Sequence, residues 1–282
     1  MRDIVIVPTF DRPEFLWLCL ENIAAADGWQ DSVILVCEDI HADKPKSFTV
    51  EIEMLATIRY FEKVFGQNFR YRHMTPHTTY GNSHNLLSVV AEAMLCEHRL
   101  VYIIEDDVLI TEDFFVWNNG VQEKFRPWVS CAGRLNRSLN FESNGRYAMD
   151  ETIKDVNACT RVQGAYMSWA TCFPRTSLDL LLHSERIQDQ TFGPGVEQDI
   201  LIQNVMRRYG VSSLWPFIPR AFHLGYYSYH RDGGILPQGT LEQKVKALRA
   251  VVTKQNKLRE VAGIQDIDAF QEHEAATALY LR

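Results

Sequence analysis

The 282-residue chain is short of several features that would fix its class at once. Glycine and proline are sparse, at 15 and 10 residues, and neither recurs with a period. Collagen-like and low-complexity classes are excluded. No basic excess exists: 29 Lys and Arg stand against 36 Asp and Glu, a net charge of −7. A general nucleic-acid binder carries a basic surplus, so that class is disfavoured and no nucleic-acid partner is expected. No run approaches the roughly 20 apolar residues of a membrane span, so no integral membrane segment is expected. The opening MRDIVIVPTFDRPEF has too short an apolar stretch for a secretory leader, and the expectation is a soluble, cytoplasmic protein. The six cysteines form no C-x-x-C pair and no zinc spacing, so they read as reduced, mostly buried thiols. No G-x-G-x-x-G, P-loop or G-x-S-x-G string occurs.

What is present is an alternation of strand and helix signals. Asp3–Val7 is a short apolar run that stops at Pro8. Pro13 sits at a helix start, with Phe15, Leu16, Leu20 and Ile23 as the buried face before Gly28. Val33–Cys37 reads as a second buried strand, and Val50–Phe65 as an amphipathic helix stopped by Gly66. Phe69–Met74 reads as an edge strand, Asn82–Cys96 as a helix, and Val101–Ile104 as a fourth strand. This order predicts an α/β fold with a mostly parallel sheet flanked by helices on both faces.

The second half is less regular. WVSCAG and VQGAYMSWATCF read as strands, LDLLLH and GVEQDILIQNVMRRYG as helices. Helices are also expected over Thr240–Gly263 and Ile267–Leu281. The chain divides into residues 1–110 and 111–239 of one domain, followed by a helical extension over 240–282. Nothing in the sequence bears on oligomeric state.

Open parallel sheets bind ligands at the carboxyl ends of their strands. Those ends carry Thr9-Phe10-Asp11-Arg12, Glu38-Asp39 and Glu105-Asp106-Asp107. Three successive carboxylates directly after a buried strand repel one another, and a hard divalent cation is the simplest compensation. A solvated turn before the next helix is the competing reading, and it suits Glu112 and Asp113 better than the triplet. In GVEQDILIQNVMRRYG, Asp199 falls in line with Ile202, Met206 and Tyr209 on the inward row, and Glu197 turns outward. Asp199 can serve as a general base or as a helix-terminal dipole partner. Arg12 suits a phosphate or a base edge, or is a surface arginine. His84, in the first turn of its helix, is a nucleotide contact or a packing residue. His223, in the string HLG, suits a metal or a phosphate.

These residues, in this order, resemble a glycosyltransferase of the GT-A (Rossmann-like) fold. IVIVPTFDRPEFLWLCLENI is similar to the first strand and helix of glycosyltransferase family two, and GVEQDILIQNVMRRYG to that family's catalytic helix, with Gln198 where a Glu is usual. EDDVLITEDFF resembles the acidic motif of the N-acetylglucosaminyltransferase I type. The resemblance implies that Asp107 binds Mn²⁺ (or Mg²⁺) and that Glu105 and Asp106 contact the sugar nucleotide. It implies nucleotide contacts from Arg12, Asp39 and His84, and a catalytic base at Asp199. A closing Arg-x-x-His-x-Gly pattern is matched by Arg220, His223 and Gly225. The implied activity is inverting transfer of a sugar from a nucleotide-sugar donor, a UDP-sugar and first UDP-GlcNAc, to a hydroxyl of a glycan or other acceptor. A sugar nucleotidyltransferase is the alternative enzyme, although PTFDRPEF lacks the glycines of its phosphate loop. A non-catalytic glycan- or nucleotide-binding protein on a degenerate transferase fold is the third reading. Trp128, Trp169, Phe192, Trp215 and Tyr226, Tyr227 and Tyr229 are aromatics that could stack on sugars, and residues 226–239 form a candidate lid.

Overall fold

The computed structural model describes residues 2–74, 82–133, 139–141, 147–149, 159–184, 198–216, 219–224, 239–255 and 272–273. The sheet is built around β1 (Asp3–Thr9), all seven of whose residues are buried. It pairs in parallel with β2 (Ser32–Glu38) on one side and β4 (Leu100–Ile103) on the other, with Ile6 opposite both Leu35 and Ile103. The edge strand expected near residue 69 is β3 (Phe69–His73), parallel to β2. A strand covered on both faces is apolar along its middle, which is why Ile4–Val7, Val33–Cys37 and Leu100–Ile103 read as continuous runs, with polar residues only at their ends.

Alternation then divides the core into two layers. Val5, Val7, Leu100 and Tyr102 face helices α1 (Pro13–Ala25), α2 (Phe48–Phe65) and α4 (Phe114–Phe125). Ile4, Ile6, Val101 and Ile103 face α3 (Asn82–Ala93), α5 (Arg175–Leu182) and α6 (Gln198–Tyr209). Local signals set several ends. Pro13 opens α1, the Ser47 hydroxyl accepts from the Val50 amide at the start of α2, and Gly66 stops α2 at φ 57°. Helix α7 (Leu241–Gln255) packs Val245 and Leu248 on Phe15 and Leu18 of α1.

The sheet is mixed: five of its eight strand pairings are parallel and three antiparallel. Among the described residues nine strands lie in the order β13 (Glu272–His273), β9 (Cys159–Gln163), β11 (Ser212–Pro216), β6 (Val129–Cys131), β10 (Thr171–Pro174), β4, β1, β2, β3. Strand β10 inserts antiparallel between β4 and β6, and β11 is parallel to β6 and antiparallel to β9. Two expectations are corrected. VQGAYMSWATCF is not one strand but the end of β9, a crossing segment from Gly164 to Ala170, and most of β10. Gly164 and Ala170 take left-handed φ values of 64° and 48°, which a strand cannot accommodate. The segment carries the chain from Gln163, opposite Ser212 at the start of β11, to Thr171, opposite Ile103 at the end of β4. Within the helix expected over Ile267–Leu281, Glu272–His273 forms strand β13 and pairs with Cys159–Thr160, because the outer edge of β9 offers unpaired backbone groups. The rest of that helix, and of the Thr240–Gly263 helix beyond Gln255, lies outside the described residues.

Two small pairings complete the frame. β7 (Leu139–Phe141) pairs with β8 (Tyr147–Met149), and β5 (Val108–Ile110) pairs antiparallel with β12 (Ala221–His223). All six cysteines are free, and only Cys96 is exposed. Among the described residues no helix is long and apolar enough to cross a membrane.

Candidate metal site

The site lies where β1 and β4 end. The chain leaves β4 through Ile104, and the Val108 amide donates to the Glu105 carbonyl, so Glu105, Asp106 and Asp107 form a tight turn into β5. Their side chains diverge. Asp106 is buried, accepts from the Thr9 hydroxyl at 2.8 Å and pairs with Arg12. Asp107 accepts from the second Arg12 nitrogen at 2.7 Å. Glu105 accepts from Gln198 Nε2 at 2.6 Å.

The β5–β12 register delivers the fourth group. His223 stands opposite Val108, and the Leu224 amide donates to the Asp107 carbonyl at 2.7 Å. His223 Nε2 is therefore 3.3 Å from Asp107 Oδ1. Glu105, Asp107 and His223 each present one donor atom, all within 4.8 Å of one another. Two carboxylates and an imidazole form a donor set that fits a divalent cation such as Mn²⁺. Glu105, expected beside the sugar nucleotide, thus stands with the metal-ligating candidates.

The electrostatics follow from burial. Desolvation, with the Asp107 charge adding to it, lifts the Glu105 carboxyl to about 7, while His223 opposes the rise. Burial also lifts Asp106 to about 6 against the pull of Arg12. Burial acts to raise Asp107 too, but the His223 hydrogen bond and Arg12 outweigh it and hold the carboxyl well below its usual range. His223 is raised, its burial more than offset by Asp107 and then Glu105. Burial and close charge partners together shift four groups of one cluster, a pattern that marks a candidate functional site.

Asp199 lies in the first turn of α6, close enough for its charge to push Glu105 upward. Tyr166 and Cys131 are also within its field. The inward face of α6 is corrected. Gln198, Leu201, Ile202, Val205 and Met206 are buried, Asp199 is half-buried, and Tyr209 is 41% exposed. The face is centred on Gln198, so the residue in place of a glutamate is the one that bonds Glu105. Glu197 lies outside the described residues.

The other expected residues are distributed as follows. Arg12 is partly buried against Asp106 and Asp107, with Phe15 under its guanidinium. Asp39 is half-buried directly after β2, and its amide donates to the Thr9 carbonyl. His84 falls in the first turn of α3, and its side chain lies outside the described residues. Arg220 is fully buried and pairs with Asp113, so its place is in the frame and not the site. Trp215 is buried, and Trp128 packs edge-on against Phe173. Phe192, Gly225 and residues 226–238 lie outside the described residues. Unforeseen were the roles of Thr9 and Gln198, and the stacking of Trp169 on His223.

No protein-family description matches the chain, and no curated protein matches it. Among solved structures it is similar to residues 1–349 of S. aureus TarS in complex with UDP-GlcNAc, at 14% identity, over 76% of this chain and 58% of that one, with a TM-score of 0.49. It is also similar to the mannosyltransferase PcManGT from Pyrobaculum calidifontis in complex with GDP-Man and Mn²⁺, at 15% identity, over 95% of this chain and 77% of that one, with a TM-score of 0.49. The chain spans a little over half the length of the TarS chain it is similar to.

Proposed function

We propose that the chain is an inverting, divalent-metal-dependent glycosyltransferase that moves a sugar from a nucleotide sugar to a hydroxyl acceptor. The observation that carries this reading is the meeting of Glu105, Asp107 and His223 beside the helix that bears Asp199. The donor is a UDP-sugar, with UDP-GlcNAc the first to test, and the acceptor a glycan. Asp107, His223 and Glu105 hold Mn²⁺ or Mg²⁺. Charge stabilisation on the departing diphosphate is the chemistry such an ion supplies when bound.

The chain's own residues do the rest. Asp199 accepts the proton of the acceptor hydroxyl as that oxygen bonds to the anomeric carbon. The bond from that carbon to the donor phosphate breaks on the opposite face, which inverts the configuration and releases the nucleoside diphosphate. Arg12 holds Asp106 and Asp107 in fixed orientation and neutralises part of their charge. Asp39 and His84 serve the nucleotide from the ends of β2 and the start of α3.

A thermal-shift panel of nucleotide sugars, with and without Mn²⁺, tests the reading. A ligand that binds only the folded form raises the melting temperature. The expected result is stabilisation by UDP-sugars that needs the metal, followed by transfer to a hydroxyl acceptor. No metal-dependent stabilisation by any nucleotide sugar would overturn it.

A further inference from the structure

The crossing segment Gly164–Ala170 has no part in the sheet, yet it ends against two of the three metal-ligating candidates. The Trp169 ring lies on the His223 imidazole with centroids 4.8 Å apart and planes within 5°. Ser168, one residue earlier, lies close enough to Glu105 to lower its carboxyl pKa. Ala170, one residue later, is fully buried at φ 48°, a conformation that L-residues with a Cβ rarely adopt. Left-handed backbone at a residue other than glycine persists where the surroundings over-determine it.

Those surroundings are specific. Gly133 faces Trp169: a Cβ there would meet the Trp169 Cβ at 3.3 Å and its Cε3 at 3.4 Å, so the absence of a side chain makes room for the indole. Ala132 ties both halves of the stack together. Its amide donates to the Ala170 carbonyl at 3.0 Å, while its own carbonyl accepts from the Arg220 and Ala221 amides, which lead into the strand carrying His223. Trp169 and His223 are thus hung from one residue.

We infer that Trp169 is a positioning residue for the metal centre. It fixes the plane of the His223 imidazole, so that the ring presents Nε2 to the space it shares with Glu105 and Asp107. On metal binding Nε2 gives up its proton, and with it the hydrogen bond to Asp107, so the parallel stack is what then holds the ring in plane. Partners behind a metal ligand orient it, and their loss typically weakens metal binding by 10- to 100-fold. Mg²⁺ keeps to oxygen ligands and water, whereas a transition-metal ion such as Mn²⁺ also accepts a neutral imidazole beside carboxylates. Trp169 therefore sets the preference of the site for Mn²⁺ over Mg²⁺. The inference rests on the metal centre of the proposed function.

The test compares the wild-type chain with Trp169→Met, which keeps an apolar side chain but no flat ring, and Trp169→Phe, which keeps an aromatic face. Trp169→Leu stands in should the Met variant fail to fold, as read by thermal melting. Mn²⁺ affinity is measured from the free-ion EPR signal, and Mg²⁺ affinity by competition. Pulsed EPR at saturating Mn²⁺ reads the ¹⁴N coupling of a ligated imidazole. The expected result is a loss of Mn²⁺ affinity of about 10-fold or more in the Met or Leu variant, with Mg²⁺ affinity little changed, the ¹⁴N coupling lost, and both restored toward wild type by Phe. Unchanged Mn²⁺ affinity and coupling in a folded non-aromatic variant would overturn the inference and leave the metal centre standing. Failure of the wild-type chain to bind Mn²⁺ would remove the metal centre itself, and the inference with it.

Discussion

His223 Nε2 lies 3.3 Å from Asp107 Oδ1 because β12 pairs with β5 in a register that sets His223 opposite Val108. The two donors are brought together by backbone pairing, and Arg12 holds the second Asp107 oxygen at 2.7 Å. Replacing Asp107 by Asn keeps the shape and the Leu224 backbone contact but removes the charged donor. Mn²⁺-dependent stabilisation by UDP should then vanish, with Mn²⁺ affinity down at least the roughly 10- to 100-fold seen when only a supporting residue is lost. Calorimetric titration of Mn²⁺ into wild type and Asp107→Asn decides it. Equal affinity in the two would place the metal elsewhere.

Asp199 offers a sharper separation of roles. As a base it acts on the acceptor hydroxyl, and it is not needed to hold the donor. Asp199→Asn should lower the transfer rate by about 10²- to 10⁴-fold, the usual worth of a positioned base. UDP binding in the presence of Mn²⁺ should stay near wild type. A parallel fall in both quantities would mean that Asp199 supports the structure and performs no proton transfer.

Much of the frame was readable from the residues. The unbroken apolar runs of β1, β2 and β4 announced buried strands, and Pro13 and Gly66 marked helix ends where they occur. The acidic tip after β4 was visible for the same reason: polar residues stood directly after a run that had none. The β5–β12 pairing was not visible, since two three-residue strands far apart in the chain carry no periodicity of their own. The crossing segment was hidden because Ala170 occupies a backbone region that its side chain does nothing to advertise. The row through Asp199, Ile202 and Met206 is one edge of the buried face of α6, whose middle runs through Gln198, Leu201 and Val205; Gln198 is polar, so the sequence does not mark it as inward.

The buried pair beneath the site gives a stability prediction. Arg220 is fully buried, and its Nε donates to Asp113 Oδ2 at 3.2 Å. The Thr111 hydroxyl donates to the other Asp113 oxygen at 2.6 Å, and the guanidinium lies over Trp117. Asp113→Asn removes the Asp113 carboxylate from beside a buried arginine charge. Removing one member of such a pair costs about 3–5 kcal/mol. Urea unfolding should show a lower midpoint at unchanged slope. A loss below about 1 kcal/mol, the worth of an exposed pair, would mean that water reaches Arg220.

His98 should make folding sensitive to mild acid. The residue is buried just before β4, and its Nδ1–H donates to the Cys96 carbonyl at 3.0 Å. A carbonyl can only accept, so Nδ1 carries the proton and Nε2 is the basic site. Nε2 is buried and has no hydrogen-bond partner among the described residues, so protonation would place a charged donor where nothing accepts it. Burial is the main cause of the lowered pKa, Arg175 adds to it, and the Cys96 carbonyl, Asp3 and Asp179 oppose it. The unfolded chain therefore takes up a proton near the ordinary histidine value of about 6.5, while the folded chain resists until a lower pH. The contribution to stability is whole above that value and is lost as pH falls through it, at up to about 1.4 kcal/mol per pH unit. His98→Asn keeps a donor for the Cys96 carbonyl and cannot titrate. Urea unfolding of both proteins between pH 8 and pH 5 isolates the effect, because every other titrating group is common to the two. The wild-type curve should fall away from that of the variant below pH 7, and parallel curves would show that His98 takes up its proton as readily in the folded chain as in the unfolded one.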